Sequence, residues 1–257
     1  MKLVIPPPAG FQIAHLATGP AWLRPASKNM ILSLWQKLNP TLPLRLSARR
    51  HPKHRIFPGR APVVVLPYPG LGEIVVRPCV HGGCWGKMMR DFYLGPTRAL
   101  REILQARQLE SKKIPTPSIL AVLFYPAGPF WKIDVVTSFV PESRDLASFL
   151  STRPKPGERA RAFTAVRKLF DACARHRIRH PDLNARNILL SGSAKKPLQA
   201  WLLDVDAIRI GMTNRTRVVT ANRNRLLRSL IKRARCGDLG WSEKEIASLW
   251  KELFPKG

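Results

Sequence analysis

Three polar residues at fixed spacing constrain this chain more than any other feature. His180, Asp182 and Asn187 lie in the run His180-Pro181-Asp182-Leu183-Asn184-Ala185-Arg186-Asn187, with the apolar Ile188-Leu189-Leu190 behind it. The spacing suits phosphoryl transfer to a hydroxyl. An Asp must accept a hydrogen bond from the attacking hydroxyl, and an Asn further along the same loop must reach a metal ion on the nucleotide phosphates. Trp201-Leu202-Leu203-Asp204-Val205-Asp206 then supplies an apolar strand ending in carboxylates. An Asp in that place holds the other side of a magnesium site. Alone, the Asp-Leu-Asn opening would also fit a helix cap or turn. Context favours the chemical reading. A helical pattern from Ala160 to Arg175 precedes the loop and two short apolar runs follow it. Asp and Glu total only 16 of 257 residues, so three carboxylates at 182, 204 and 206 are not what a solvated surface needs.

With 45% hydrophobic residues the chain can bury a core in one or two lobes and is too apolar to be disordered throughout. Its formal charge is +28, from 44 Lys and Arg against 16 Asp and Glu. Such a chain seeks polyanions such as nucleic acid or anionic lipid headgroups, and charge alone does not choose between them. No apolar stretch is long enough to span a bilayer. The start, Met1 to Ile5 followed by Pro6-Pro7-Pro8, is too short and proline-rich for a signal peptide, which implies a cytoplasmic chain. The four cysteines, 79, 84, 173 and 236, fit a reducing compartment. Cys79, His81 and Cys84 offer three soft ligands at an unusual spacing with no matching half, so ordinary reduced cysteines are the better account.

Strand patterns come first and helical patterns later, which predicts a two-lobed α+β fold with the site in the cleft between lobes. Residues 1–55 read as a basic, partly amphipathic N-terminal extension, 56–140 as a strand-rich N-lobe and 141–257 as a helical C-lobe. Within the extension, Lys28–Leu38 reads as a basic amphipathic helix. It suits either a membrane interface, with Trp22 or Trp35 inserted, or packing on the core. Val63–Leu66 and Glu73–Arg77 flank a Pro-Gly turn and predict a hairpin. Thr97–Glu110 reads as a helix with Leu100, Ile103, Leu104 and Leu109 inside, ended by Pro115 and Pro117. Ile119–Tyr125 and Trp131–Phe139 read as strands. Leu146–Ser151, Arg159–Arg175, Asn222–Arg235 and Glu243–Phe254 read as helices, the last opening on a Ser242/Glu245 capping box.

With these elements in order, the chain resembles the lipopolysaccharide core kinases, the bacterial Kdo and heptose kinases, which have a protein-kinase-like fold. The likeness covers roughly residues 57 to 250. It rests on Val75-Val76-Arg77 running into His81-Gly82-Gly83, on Thr97 to Glu102, on Ile114-Pro115-Thr116-Pro117, on a hinge-like Thr137 to Asp145, on the loop and metal motifs, and on the basic segment Asn222 to Lys232. The departures are an Arg77 where protein kinases place a strand Lys, an Asn184 where they carry a loop Lys, and a thin Gly-rich loop around Gly59 and Arg60. An Arg is a permanent cation and a bidentate phosphate ligand, so it suits the strand position.

The resemblance implies an ATP-dependent kinase with Mg²⁺, acting on a Kdo or heptose hydroxyl of the lipopolysaccharide core or a lipid A-linked acceptor. Asp182 would orient the hydroxyl and Asn187 and Asp204 would hold magnesium. Asp206 would serve either as a further metal ligand or as partner to a loop cation. His180 would support the loop. Arg77, positioned by Glu102, would meet phosphate oxygens, and Gly59, Arg60 and the hinge residue Ser138 would line the nucleotide. The acceptor implies a peripheral place on the cytoplasmic face of the inner membrane. A protein kinase is a weaker reading, because no anchor of the A-P-E kind follows Asp204. A degenerate kinase fold binding membrane or nucleic acid has no need of the Asp182, Asn187 and Asp204 trio, and nucleic acid is an unlikely partner.

Overall fold

Alternating apolar residues build a sheet, and longer apolar stripes build helices around it. The structure, a computed structural model, describes residues 6–57, 62–68, 70, 72–80, 91–193 and 197–255. The chain divides into two units, Met1–Leu104 with Ser118–Phe139, and Gln105–Pro117 with Val140–Gly257. The expected hinge, Thr137–Asp145, contains the change of unit at Phe139/Val140, and the Pro-x-Pro link ends at the change at Pro117/Ser118.

The first unit holds a seven-stranded antiparallel sheet of β1 (Gln12–Leu16), β2 (Gly19–Leu23), β3 (Arg55–Phe57), β4 (Val63–Tyr68), β5 (Gly72–Pro78), β6 (Ile119–Ala127) and β7 (Phe130–Ser138), in the order β1-β2-β6-β7-β5-β4-β3. Val64, Leu66, Ile74 and Val76 recur at every second position and join one core cluster. The residues between them, Val75 and Arg77, fall on the opposite face. Helices α1 (Lys28–Leu38) and α2 (Leu44–Ala48) cover the cluster through Ile31, Leu34, Trp35, Leu44 and Ala48. Gly19 is required where β2 meets β6, since a Cβ there would lie 2.2 Å from the Phe124 carbonyl oxygen.

Residues 1–55, read from sequence as a separate extension, thus contribute two strands and two helices to this unit. The apolar stripe of α1 enters the core. Trp22 is fully buried, edge-on to Phe124 at 4.8 Å, and Trp35 is buried as well. Neither ring is free to enter a membrane. The reason is energetic: a tryptophan buries 150–250 Å², roughly, and the sheet's apolar face offers a permanent place for it.

A buried ionic network ties α2 to the sheet. Arg45 reaches Asp134 of β7 at 3.0 Å and Asp91 at 3.0 Å, while the Tyr125 hydroxyl accepts the Leu44 N–H at 2.9 Å. Helix α3 (Thr97–Ser111) buries Ala99, Glu102, Ile103, Ala106 and Leu109. Leu104, expected inside, is 43% exposed, because a charged residue, Glu102, takes the inward face instead.

The second unit contains α4 (Leu146–Ser151), α5 (Pro156–Arg175), α6 (Arg215–Arg235) and α7 (Glu243–Leu253), with a three-stranded sheet of β8 (Ser143–Asp145), β9 (Ile188–Ser191) and β10 (Gln199–Leu202). Helix α5 packs on α6, α7 and β10. The Ser242/Glu245 capping box opens α7, with the Ser242 N–H donating to Glu245 at 2.7 Å. The loop His180–Asn187 leads into β9, β10 leads out to Asp204, and Asn222, Arg225 and Ser229 of α6 hydrogen-bond to the loop.

Candidate active site

The motif loop is built from alternating anchors. Leu183 and Ala185 are buried, which turns Asp182 and Arg186 outward. Asn184 caps a single 3-10 turn, Ala185–Asn187, accepting from the Arg186 N–H at 2.9 Å. Two side-chain amides then converge on one carbonyl: Asn187 Nδ2 donates to the Asp182 oxygen at 2.8 Å and Asn184 Nδ2 at 3.2 Å. Asn184 therefore serves the backbone of Asp182 and leaves its carboxylate alone. That carboxylate is half exposed, and its Oδ1 accepts from Arg225 Nη2 of α6.

The second acid stands beside this loop through Leu203. The Leu203 N–H donates to the Asn187 carbonyl at 2.9 Å, and the Leu203 carbonyl meets His180 Nε2 at 2.9 Å. A carbonyl can only accept, so Nε2 carries the proton. Burial holds the His180 imidazole below its ordinary value, which keeps it neutral. Its Nδ1 has no hydrogen-bond partner among the described residues. His180 thus acts as a strut between the loop and the end of β10. The next residue, Asp204, has φ 56° and ψ 56°, the left-handed region. Val205 is buried at 4% exposure, which leaves Asp204 exposed and Asp206 half-buried beside it. Aspartate is one of the few non-glycine residues that tolerate the left-handed region, which Lys113, Glu142, Arg153 and Arg177 also occupy elsewhere in the chain.

In the first unit, Arg77 on β5 pairs with Glu102 on α3 through Nη2 and Oε1. The carboxylate is buried, and the guanidinium keeps about a quarter of its side chain in contact with solvent. Next to them Cys79 is fully buried. Desolvation first, and the Glu102 charge second, push its thiol up to about 12, so it is inert. Ser138 closes the end of β7: its N–H donates to the Ser118 carbonyl at 2.9 Å and its Oγ accepts from the Ser118 N–H at 3.0 Å. Gly59, Arg60, His81, Gly82, Gly83 and Cys84 lie outside the described residues.

The donor set of the second unit is hard: two carboxylates, Asp204 and Asp206, and the Asn187 amide, whose Nδ2 is committed to Asp182 so that Oδ1 is left to coordinate. Among the described residues no group of three or more His, Cys, Asp or Glu is placed to hold a metal unaided. Magnesium does not ask for one, since it is bound by one or two carboxylates together with substrate phosphates. The residues present fit that ion.

Three residues of α6 went unread in the sequence. Asn222 accepts the His180 N–H at 3.0 Å and donates to the Ile178 carbonyl at 2.9 Å. Ser229 accepts the Ala185 N–H at 3.2 Å. Arg225 holds Asp182 and the Pro181 carbonyl. A signal existed: Asn222 and Ser229 interrupt the stripe of Val218, Leu226 and Leu230 with polar residues, and a buried polar group must find a partner.

Comparison with known proteins agrees with this geometry. A sequence profile described as the lipopolysaccharide kinase (Kdo/WaaP) family matches residues 69–252. A 3-deoxy-D-manno-octulosonic acid kinase of Haemophilus influenzae (strain PittEE) is 32% identical over 181 residues, covering 68% of this chain and 72% of that protein. An enzyme of the same name from Vibrio cholerae is 29% identical over 172 residues, 65% of this chain and 69% of that one. The solved structure "WaaP in complex with acyl carrier protein" superposes with a TM-score of 0.53 at 14% identity, covering 96% of this chain and 90% of that one. That likeness gives the fold, protein-kinase-like, as the family resemblance implied. The match over most of the sequence makes this chain a member of the lipopolysaccharide kinase (Kdo/WaaP) family.

Proposed function

We propose that the chain transfers the γ-phosphoryl group of ATP to a sugar hydroxyl of the lipopolysaccharide core, with Kdo, the sugar named in its relatives, as the acceptor. The observation that carries the reading is the Leu203 backbone, gripped by Asn187 on one side and His180 on the other. It fixes the Asp182 loop and the Asp204 strand end as one construction. Asp182 accepts the hydrogen bond of the attacking hydroxyl and aligns its oxygen for attack. Asn187 and Asp204 are the magnesium ligands, with Asp206 behind Asp204. When bound, magnesium neutralises charge on the phosphates. Arg77, held by Glu102, supplies a permanent cation for phosphate oxygens. Ser138 stands at the nucleotide through the free lone pair and proton of its hydroxyl. Gly59 and Arg60 complete that side of the nucleotide in this reading.

The acceptor places the chain on an anionic membrane surface, the cytoplasmic face of the inner membrane. No helix among the described residues is long and apolar enough to cross a membrane. What supports attachment is the exposed run Arg49, Arg50, Lys53 and Arg55, set beside exposed Leu46, Ile56 and Phe57. Each such cation contributes about 1 kcal/mol near an anionic surface, decaying over a Debye length of ~8 Å at physiological salt.

The test is transfer from γ-labelled ATP to a purified Kdo-bearing glycolipid, with a protein substrate in parallel. Label on the Kdo, dependent on magnesium, is the expected result. Label on protein with none on glycolipid overturns the assignment.

A further inference from the structure

Helix α6 meets the motif loop in register. Asn222, Arg225 and Ser229 are spaced i, i+3 and i+7, which puts them on one face of the helix. In the same order they bond to successive loop residues. Asn222 takes the His180 N–H, Arg225 takes the Asp182 carboxylate and the Pro181 carbonyl, and Ser229 takes the Ala185 N–H. Asn222 and Ser229 are buried, at 2% and 5% exposure, while Arg225 remains about a third exposed. The helix makes five hydrogen bonds to the segment 178–185, counting that from Asn222 to the Ile178 carbonyl and the two from Arg225.

Two of those bonds, both from Arg225, go to exposed residues, Pro181 and Asp182. A loop residue as exposed as Asp182 could leave its carboxylate in water at no cost. Instead a guanidinium from 43 residues away is brought to Oδ1 while its Nε fixes the carbonyl just before Asp182. A fork that holds a carboxylate and its own backbone fixes orientation as well as charge. Oδ2 makes no hydrogen bond among the described residues, so one oxygen is held and the other is presented. Asn184, the side chain nearest in sequence that could have done this, is spent on the Asp182 carbonyl.

We infer that Arg225 is the positioning residue for Asp182, and that α6 is the template against which the loop is set, Asn222 and Ser229 fixing its backbone and Arg225 its acid. Arg225 touches neither reacting atom and acts through Asp182. The inference rests on the reading of Asp182 as the residue that orients the acceptor hydroxyl. A basic residue in a strongly basic helix is thereby given a task distinct from attraction to anions. Its neighbours on the helix are not interchangeable with it, because among the described residues the hydrogen bonds from the helix to the segment 178–185 come from Asn222, Arg225 and Ser229.

The experiment uses the full-length chain with Arg225→Gln and Arg225→Lys. Amide hydrogen exchange of the segment 178–187 is followed by mass spectrometry, which needs no substrate, and kcat and KM for ATP are measured with the Kdo-bearing glycolipid. In Arg225→Gln the segment should exchange several-fold faster with the rest of the second unit unchanged. Its kcat should fall about 10–100-fold with KM for ATP within about twofold, the pattern of a displaced catalytic group. Arg225→Lys, which keeps the charge and loses the fork, should lie between. Unchanged exchange in Arg225→Gln overturns the inference, as does faster exchange with unchanged kcat. A wild-type chain that leaves the glycolipid unlabelled, while its loop still responds to Arg225→Gln, overturns the acceptor assignment and supports the positioning role.

Discussion

Each unit carries an arginine–carboxylate pair beside a motif, and the two pairs are mirror images in burial. In Arg77–Glu102 the carboxylate is sunk to 6% side-chain exposure and the guanidinium sits at 26%. In Arg225–Asp182 the carboxylate is the outer member at 52%, against 32% for the guanidinium. We read the less exposed partner as the holder and the more exposed one as what the pair presents. Under the proposed reaction, Arg77 would supply the cation and Asp182 the acid that transfer of an anionic group to an alcohol requires. A third pair supplies the control. In Arg45–Asp134 the carboxylate is buried at 0% and the guanidinium is part-buried at 17%, less exposed than either Arg77 or Arg225, and the pair serves the fold.

Three substitutions test this ranking. Asp182→Asn removes the presented acid and keeps its shape. We expect kcat to fall about 10³-fold, roughly 4 kcal/mol, with ATP affinity and thermal midpoint unchanged. Nucleotide titration of the variant checks it, and loss of ATP binding would break the division of labour between the pairs. Arg45→Met strips a fully buried carboxylate of its partner. Denaturant unfolding should show a loss of about 3 kcal/mol, with kcat retained wherever the variant is folded. A selective loss of kcat would mean the control pair is not a control. Glu102→Gln leaves Arg77 without its holder. Because Arg77 keeps access to water, the stability cost should be smaller, about 1–2 kcal/mol, and the kinetic effect a rise in KM for ATP. An effect on kcat alone would move Glu102 from holder to participant.

The parts legible in the sequence were those whose partners lie close along the chain. His180, Asp182 and Asn187 fall within one loop, and the structure brings all three together with Leu203 and Asp204. Helices Lys28–Leu38 and Leu146–Ser151 have the bounds their apolar spacing gave. Long-range partners left little trace. Arg225 meets Asp182 across 43 residues, a distance over which spacing carries no information. Strands β1 and β2 went unread for local reasons. Most of β1 is exposed, which hides the alternation, and β2 opens on Gly19-Pro20, which argues against a strand. Leu104 was assigned to the wrong face of α3 because pattern reading seats apolar residues inside, whereas Glu102 is held inside by the ion pair to Arg77 that the family resemblance implied. The membrane reading of α1 failed at Trp35 for the complementary reason: an amphipathic stripe does not say whether lipid or a sheet will cover it.

The left-handed backbone at Asp204 narrows what mutation can try there. Most side chains pay about 1–2 kcal/mol to adopt that conformation, and only glycine, asparagine and aspartate enter it readily. Of the three, aspartate alone carries a charge. Both other members of this short alphabet are reachable from an aspartate codon by a single nucleotide change. Either one suits the backbone here and removes the acid. If Asp204 has the proposed role, Asp204→Asn and Asp204→Gly should therefore fold as the parent chain does and transfer no phosphate.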